Sequence, residues 1–226
     1  MTIQQERSLL DKLLHSPRLP IYGQEIQAVL ADEAQKRQNF YAQISDQDKA
    51  EFINGEIIPH SPVKLRHNMV SKRLLVLLDA YVSLHDLGLV GYEKIMISLT
   101  RNDYEPDICF FDKIKAEAFE PDQMRFPAPD FIVEVLSDST AGVDRGVKFE
   151  DYAAHWVGEY WLVDPETETV EQYELYDQAY ELVIKAQTGL ITSRAIPQFE
   201  IPIRAIFEDT LNRETLQHLL AKQSGE

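Results

Sequence analysis

Asp130-Phe131-Ile132-Val133-Glu134-Val135-Leu136-Ser137-Asp138-Ser139 is the segment on which the architecture of this chain turns. Apolar and β-branched residues stand on both sides of Glu134, the pattern of a strand buried on both faces. A carboxylate left dry and unpaired in such a strand costs several kcal/mol, so Glu134 needs a partner. Two partners fit: a metal ion, or a lysine or arginine from another element. Upstream, Tyr104-Glu105-Pro106-Asp107-Ile108-Cys109-Phe110-Phe111 predicts a second short apolar strand. Asp107 stands at its start, where the preceding proline is tolerated. Two carboxylates at the ends of neighbouring strands can share one hard cation, with water completing the octahedron.

Downstream, Ser137, Asp138 and Ser139 are candidate caps for a following helix. In that helix Asp144, Lys148 and Tyr152 recur at a spacing of four and share one face. The face is either a surface Asp–Lys pair or turned back onto Glu134. The second is favoured, because the helix begins only a few residues after the strand.

Working outward, residues 2–15 place Leu9, Leu10, Leu13 and Leu14 on one stripe of a short helix suited to core packing or a dimer contact. A linker at 16–20 and a helix over 24–38 follow, with a further turn at 46–49. Glu51-Phe52-Ile53, Asn54-Gly55 and Glu56-Ile57-Ile58 predict a hairpin, Asn-Gly being the strongest two-residue turn signal. Glu56, just after the turn, is either an extra carboxylate for a metal site or a solvated strand residue. A long helix over 64–84 carries Val70, Leu74, Leu77, Leu78 and Tyr81 at core spacing. His67 lies near its buried edge, as a packing and hydrogen-bonding histidine or as a site contact. Strands are expected at 89–92, 95–99, 159–163, 169–176 and 180–185. An extended segment at 199–206 and a helix at 209–222 close the chain.

These residues resemble the PD-(D/E)XK nuclease superfamily and, more closely, the Uma-two family of restriction-endonuclease-like bacterial proteins. The likeness rests on Pro106-Asp107, Glu134-Val135-Leu136-Ser137, Ser139-Thr140, Asp144, Lys148, Tyr152 and Glu159-Tyr160-Trp161-Leu162-Val163-Asp164-Pro165, with Asn54-Gly55-Glu56 and His67 matching earlier positions. It implies an α/β (α+β) fold, a restriction-endonuclease-like central mixed sheet flanked by helices. The expected division is an N-terminal helical extension at 1–39, the nuclease domain at 40–208 and a C-terminal helix at 209–226. The resemblance also implies Mg²⁺, with Mn²⁺ as a substitute, held by Asp107, Glu134 and the Val135 carbonyl. The superfamily pattern Glu-X-Lys expects lysine at position 136, where this chain has Leu136. Lys148 matches a lysine moved onto the following helix, so the implied catalytic set is Asp107, Glu134 and Lys148. Glu56, His67 and Asp144 are supporting positions.

Composition bounds these expectations. The 226 residues carry 22 Lys and Arg against 38 Asp and Glu, a formal net charge of −16. Nucleic-acid binding leans on basic faces, so this balance opposes casual binding. The charge is uneven, however. Between Phe149 and Ile184 no Lys or Arg occurs, whereas Lys64, Arg66, His67, Lys72 and Arg73 fall close together. Nucleic acid, DNA above all, is expected to meet that second region. No run approaches the ~18 apolar residues of a membrane span, and no apolar signal region opens the chain. The single Cys109 excludes an internal disulfide and suits a reducing cytoplasm. Paired-cysteine zinc patterns, phosphate-loop glycines and a serine nucleophile elbow are all missing from the sequence. Two classes of function remain: a Mg²⁺-dependent nuclease working as a homodimer, and a non-catalytic scaffold or interaction protein that retains the nuclease fold.

Overall fold

The computed structural model describes residues 3–45 and 47–221; Asp46, the first residue of the turn expected at 46–49, and Lys222, the end of the expected last helix, lie outside them. The chain forms two compact units, one of residues 1–60 with 100–104, the other of 61–99 with 105–226.

The first unit contains α1 (Ile3–Leu14), α2 (Leu19–Gln43), and the hairpin β1 (Ala50–Ile53) and β2 (Glu56–Pro59). Helix α2 starts earlier than the apolar periodicity predicts, because Pro20 falls in its first turn, where a missing N–H costs nothing. It is anchored mainly by charge. Arg37 donates two bonds to Asp103, at 2.6 and 2.8 Å, and Arg101 donates two to Glu33, at 2.7 and 2.6 Å. Phe40 stacks on Phe52 of β1 with ring centroids 5.7 Å apart. Asn54 and Gly55 take positive φ, the backbone a two-residue hairpin demands.

The second unit follows in chain order: α3 (Leu65–Leu84), β3 (Gly88–Tyr92) and β4 (Met96–Ser98); then, after β5 (Asp103–Tyr104) of the first unit, β6 (Ile108–Asp112), α4 (Lys113–Ala116), β7 (Arg125–Phe126) and β8 (Phe131–Val135). Helices α5 (Ala141–Asp144) and α6 (Val147–Ala154) lead to β9 (Glu159–Asp164), β10 (Thr169–Tyr176), β11 (Ala179–Ala186), β12 (Leu190–Thr192), β13 (Glu200–Pro202), α7 (Arg204–Phe207) and α8 (Asp209–Ala221). Its centre is a six-stranded mixed sheet in the order β11-β10-β9-β8-β6-β3. Strands β8 and β9 are parallel, and the other neighbours are antiparallel.

Alternation along the strands explains the two layers. Ile108 and Phe110, Phe131, Val133 and Val135, and Trp161 and Val163 pack in one core with Val70, Leu74, Leu77 and Tyr81 of α3. Glu134 has the opposite parity from those β8 residues and so faces the α6 side. That side is aromatic: Phe149 of α6 meets Tyr160 and Tyr180 edge-on, and Tyr152 meets Tyr160 likewise.

Four local expectations need correction. Residues 104–111 are not one strand, since Glu105, Pro106 and Asp107 separate β5 from β6, which begins just after Asp107. The helix after β8 is broken in two at Gly146, whose φ of −112° and ψ of −104° are not helical. A Cβ there would stand 2.7 Å from the Gly142 carbonyl oxygen, so the break depends on glycine. The N-cap of α5 is Thr140 and makes no side-chain cap bond; the Ser137 hydroxyl instead accepts from the Thr140 N–H at 3.3 Å. In 199–206 only Glu200–Pro202 is strand, and Arg204–Phe207 turns into helix.

Candidate active site

Strands β6 and β8 pair antiparallel with Ile108 opposite Val133, which brings Asp107 beside Glu134 at one end of the sheet. The two residues are laced together. The Val135 N–H donates to Asp107 Oδ2 at 2.8 Å, and the Asp107 N–H points at Glu134 Oε2 at 3.4 Å. Both side chains are buried. Because β8 and β9 run parallel, this end is also where β9 finishes, with the Leu136 N–H donating to the Val163 carbonyl at 2.8 Å. A crevice beyond the carboxyl ends of parallel strands is the usual site position in open α/β sheets.

Helix α6 comes in from the Glu134 face. Lys148 Nζ lies 3.0 Å from Glu134 Oε1 and 3.3 Å from Asp144 Oδ1, with its side chain only 3% exposed. Tyr152, one turn further on and fully buried, donates its hydroxyl to the same Glu134 oxygen at 3.1 Å. The Tyr160 hydroxyl of β9 donates to the Asp144 carbonyl at 3.1 Å, fixing the end of α5 to the sheet. Burial pushes the Tyr160 phenol well above its ordinary value, and the Glu134 and Asp144 charges add to the shift. Just past α5, Arg145 forks onto Glu171 of β10 at 2.6 and 2.9 Å. That contact, with the Lys185 ammonium and the Tyr173 hydroxyl on the same carboxylate, was not legible from spacing.

His67, on the first turns of α3, places Nε2 3.3 Å from Asp107 Oδ2, on the side away from Lys148's helix. Asp107, Glu134, Lys148, Asp144 and His67 are therefore brought into one buried cluster. Glu56 is exposed on β2 in the other unit. Tyr152 belongs among the site contacts, and its signal was the spacing of four from Lys148.

The cluster suits a hard cation. It collects three buried carboxylates, Asp107, Glu134 and Asp144, against one lysine and one histidine, an excess of negative charge in a place where charge is poorly solvated. The donors are oxygens, the preference of Mg²⁺. Among the described residues no three His, Cys, Asp or Glu side chains form a ready metal cage. Two carboxylates with water completing the shell is the arrangement Mg²⁺ commonly takes.

A mixed sheet flanked by helices, with paired acids where β6 begins and β8 ends, defines a restriction-endonuclease-like protein. A solved structure described as "a putative nuclease belonging to DUF820", from Anabaena variabilis, shares this fold at a TM-score of 0.64, with 19% identity over 78% of this chain and 96% of that one. The chain belongs to the Uma2 family, described as "Putative restriction endonuclease", whose model matches residues 37–204. Two uncharacterized proteins of Synechocystis sp. (strain ATCC 27184 / PCC 6803 / Kazusa) are similar to it. One is 33% identical over 56% of this chain and 72% of its own length. The other is 26% identical over 78% of this chain and 87% of its own length. Among the described residues no helix is long and apolar enough to cross a membrane.

Proposed function

We propose that this chain is a Mg²⁺-dependent nuclease that hydrolyses phosphodiester bonds in nucleic acid, DNA first, with Mn²⁺ able to replace Mg²⁺. The observation that carries the proposal is Lys148. Leu136 leaves the strand without the lysine of the superfamily pattern, and a buried helical ammonium stands 3.0 Å from the Glu134 carboxylate instead. Asp107 and Glu134 would hold the ion, with the Val135 carbonyl as a neutral ligand. When bound, the ion would polarise the scissile phosphate and lower the pKa of a bound water. Lys148 orients the attacking water and balances charge that develops on the phosphate. Asp144, 3.3 Å away, aims the Lys148 ammonium. His67 fixes Asp107, and Tyr152 fixes Glu134.

The test is cleavage of plasmid DNA, single-stranded DNA and RNA in Mg²⁺, Mn²⁺ or EDTA. The parent should cut with metal only. Lys148→Ala should not cut yet should retain Mg²⁺ binding by calorimetry, and Glu134→Ala should lose both. Leu136→Lys combined with Lys148→Ala should recover some rate. A parent that neither cuts nor binds Mg²⁺ would sink the proposal. It would favour the scaffold reading, which Leu136 and the net charge of −16 support.

A homodimer and a cytoplasmic location complete the proposal. Leu9, Leu10 and Leu14 of α1 are each about half exposed, apolar surface that twofold pairing would cover. Leu211, Leu216, Leu219 and Leu220 of α8 form a second apolar pattern that could serve a dimer, but Leu219 is in the core and Leu211 and Leu216 pack against it, which leaves Leu220, about half exposed. Cys109 is the single cysteine and is buried and free, so no internal disulfide can form, which suits a reducing compartment.

A further inference from the structure

The basic cluster of α3 divides in the structure. Arg73 is committed to the protein itself: it donates to the Phe207 carbonyl at 2.8 Å and lies 4.0 Å from Asp209, with only 14% of its side chain exposed. Lys64 and Arg66 are different. Both stand at the start of the helix whose His67 touches Asp107, and both are exposed. Each is held by a carboxylate from a loop at the site end of the sheet. Lys64 Nζ meets Asp138 Oδ2 at 2.6 Å, in the loop just after β8. Arg66 Nη1 meets Glu166 Oε1 at 3.3 Å, in the turn just after β9. The Glu166 turn is itself fixed, because Asp164 Oδ1 accepts the Glu166 and Thr167 N–H groups at 2.8 and 3.2 Å. The Ser137 hydroxyl lies 3.1 and 2.9 Å from those of Ser139 and Thr140, ordering the other loop.

Two exposed cations thus border the Asp107–Glu134 cluster, each satisfied by an acid of the chain itself. Exposed ion pairs are weak and yield readily to a better partner. A polyanion offers that partner, since it brings several charges at once and releases its own counterions.

We propose that Lys64 and Arg66 receive the phosphodiester backbone of a nucleic acid at the mouth of the Asp107–Glu134 site, and that Asp138 and Glu166 are placeholders which the backbone displaces. The proposal rests on reading this site as one for phosphodiesters, and adds which groups hold the polymer and what competes with it. It accounts for how a chain of net charge −16 can take up a polyanion: the local cations are kept, and the acids opposite them tune the affinity. Binding is then steeply salt-dependent and selective for ligands that engage both cations together.

The test is fluorescence anisotropy with labelled duplex DNA, single-stranded DNA and RNA, in EDTA and again in Ca²⁺, across a salt series. Lys64→Ala with Arg66→Ala should weaken binding roughly tenfold and flatten the log K against log salt slope by about 1 for each cation removed. Asp138→Asn with Glu166→Gln should tighten binding by a similar factor. Lys113→Ala, an exposed lysine paired with Asp86, should change neither. If the parent binds and the Lys64/Arg66 variant keeps its affinity and slope, this proposal is wrong while the nuclease reading stands. If only the Asp138/Glu166 variant binds, the placeholder role is supported. If neither that variant nor the parent binds any of the three polymers, the proposal fails. If the polymer binds as expected but is never cut, the exchange stands and the nuclease reading is the one that fails.

Discussion

Replacing Lys148 by methionine keeps most of the apolar stem and removes the ammonium. The charge lost is in contact with two carboxylates, Glu134 at 3.0 Å and Asp144 at 3.3 Å, all three groups buried. At an effective dielectric of about 20 each contact is worth roughly 5 kcal/mol before desolvation. The lysine's own desolvation offsets several kcal/mol of this, but removing it leaves both carboxylates buried without their cation. The expected loss is about 3–5 kcal/mol, the usual range for breaking one side of a buried pair. In a domain of this size that is a fall in Tm of about 6–20 °C. Urea unfolding at neutral pH in EDTA measures it. Adding Glu134→Gln to Lys148→Met should recover part of the loss, because fewer uncompensated charges remain. Mg²⁺ should bind Lys148→Met at least as tightly as the parent, since a nearby positive charge is gone, and should restore some of its stability. A loss below about 1 kcal/mol, the size expected of an exposed pair, would refute the buried ionic cluster and with it the migrated-lysine argument.

Acid titration should expose Glu171. The Arg145 guanidinium, helped by Tyr173 and Lys185, lowers its carboxyl from 4.5 to about 2, so its stabilisation is complete above about pH 4.5 and is lost as pH falls towards 2. Because Arg145 and Lys185 are partly exposed, the loss is on the order of 1–2 kcal/mol; Glu171→Gln should flatten that limb of the stability curve, and unfolding midpoints between pH 2 and 5 will show whether it does. Gly55→Ala should destabilise by about 1–2 kcal/mol, since φ is +84° and the new Cβ would lie 2.9 Å from Glu33 Cγ; an unchanged thermal midpoint would count against this hairpin geometry. Light scattering at micromolar concentration should give a dimeric mass, and Leu10→Glu on α1 should make it monomeric without lowering the melting temperature; a parent mass of one chain removes the dimer.

Local pattern carried much of the architecture. The hairpin at Asn54-Gly55, the long α3 and the strands β3, β6, β8, β9, β10 and β11 follow from turn chemistry and apolar period, which act over a few residues. Asp107 and Glu134 were conspicuous because a carboxylate inside an apolar strand is costly and so needs an explanation. The pairing of β6 with β8 was an inference until the register placed Ile108 opposite Val133. Spacing alone left Lys148 as either a surface pair or a site group. Tertiary packing decided it, by burying the α6 face against Glu134, where charge must be matched. The same packing separated α3's basic residues, sending Arg73 to Phe207 and Asp209 while Lys64 and Arg66 remained exposed. It also left Glu56 on an exposed strand and added the short β7 and β12. These outcomes depend on partners distant in sequence, such as Arg145 with Glu171 and Tyr160 with Asp144, and no local periodicity encodes which distant residue will be there.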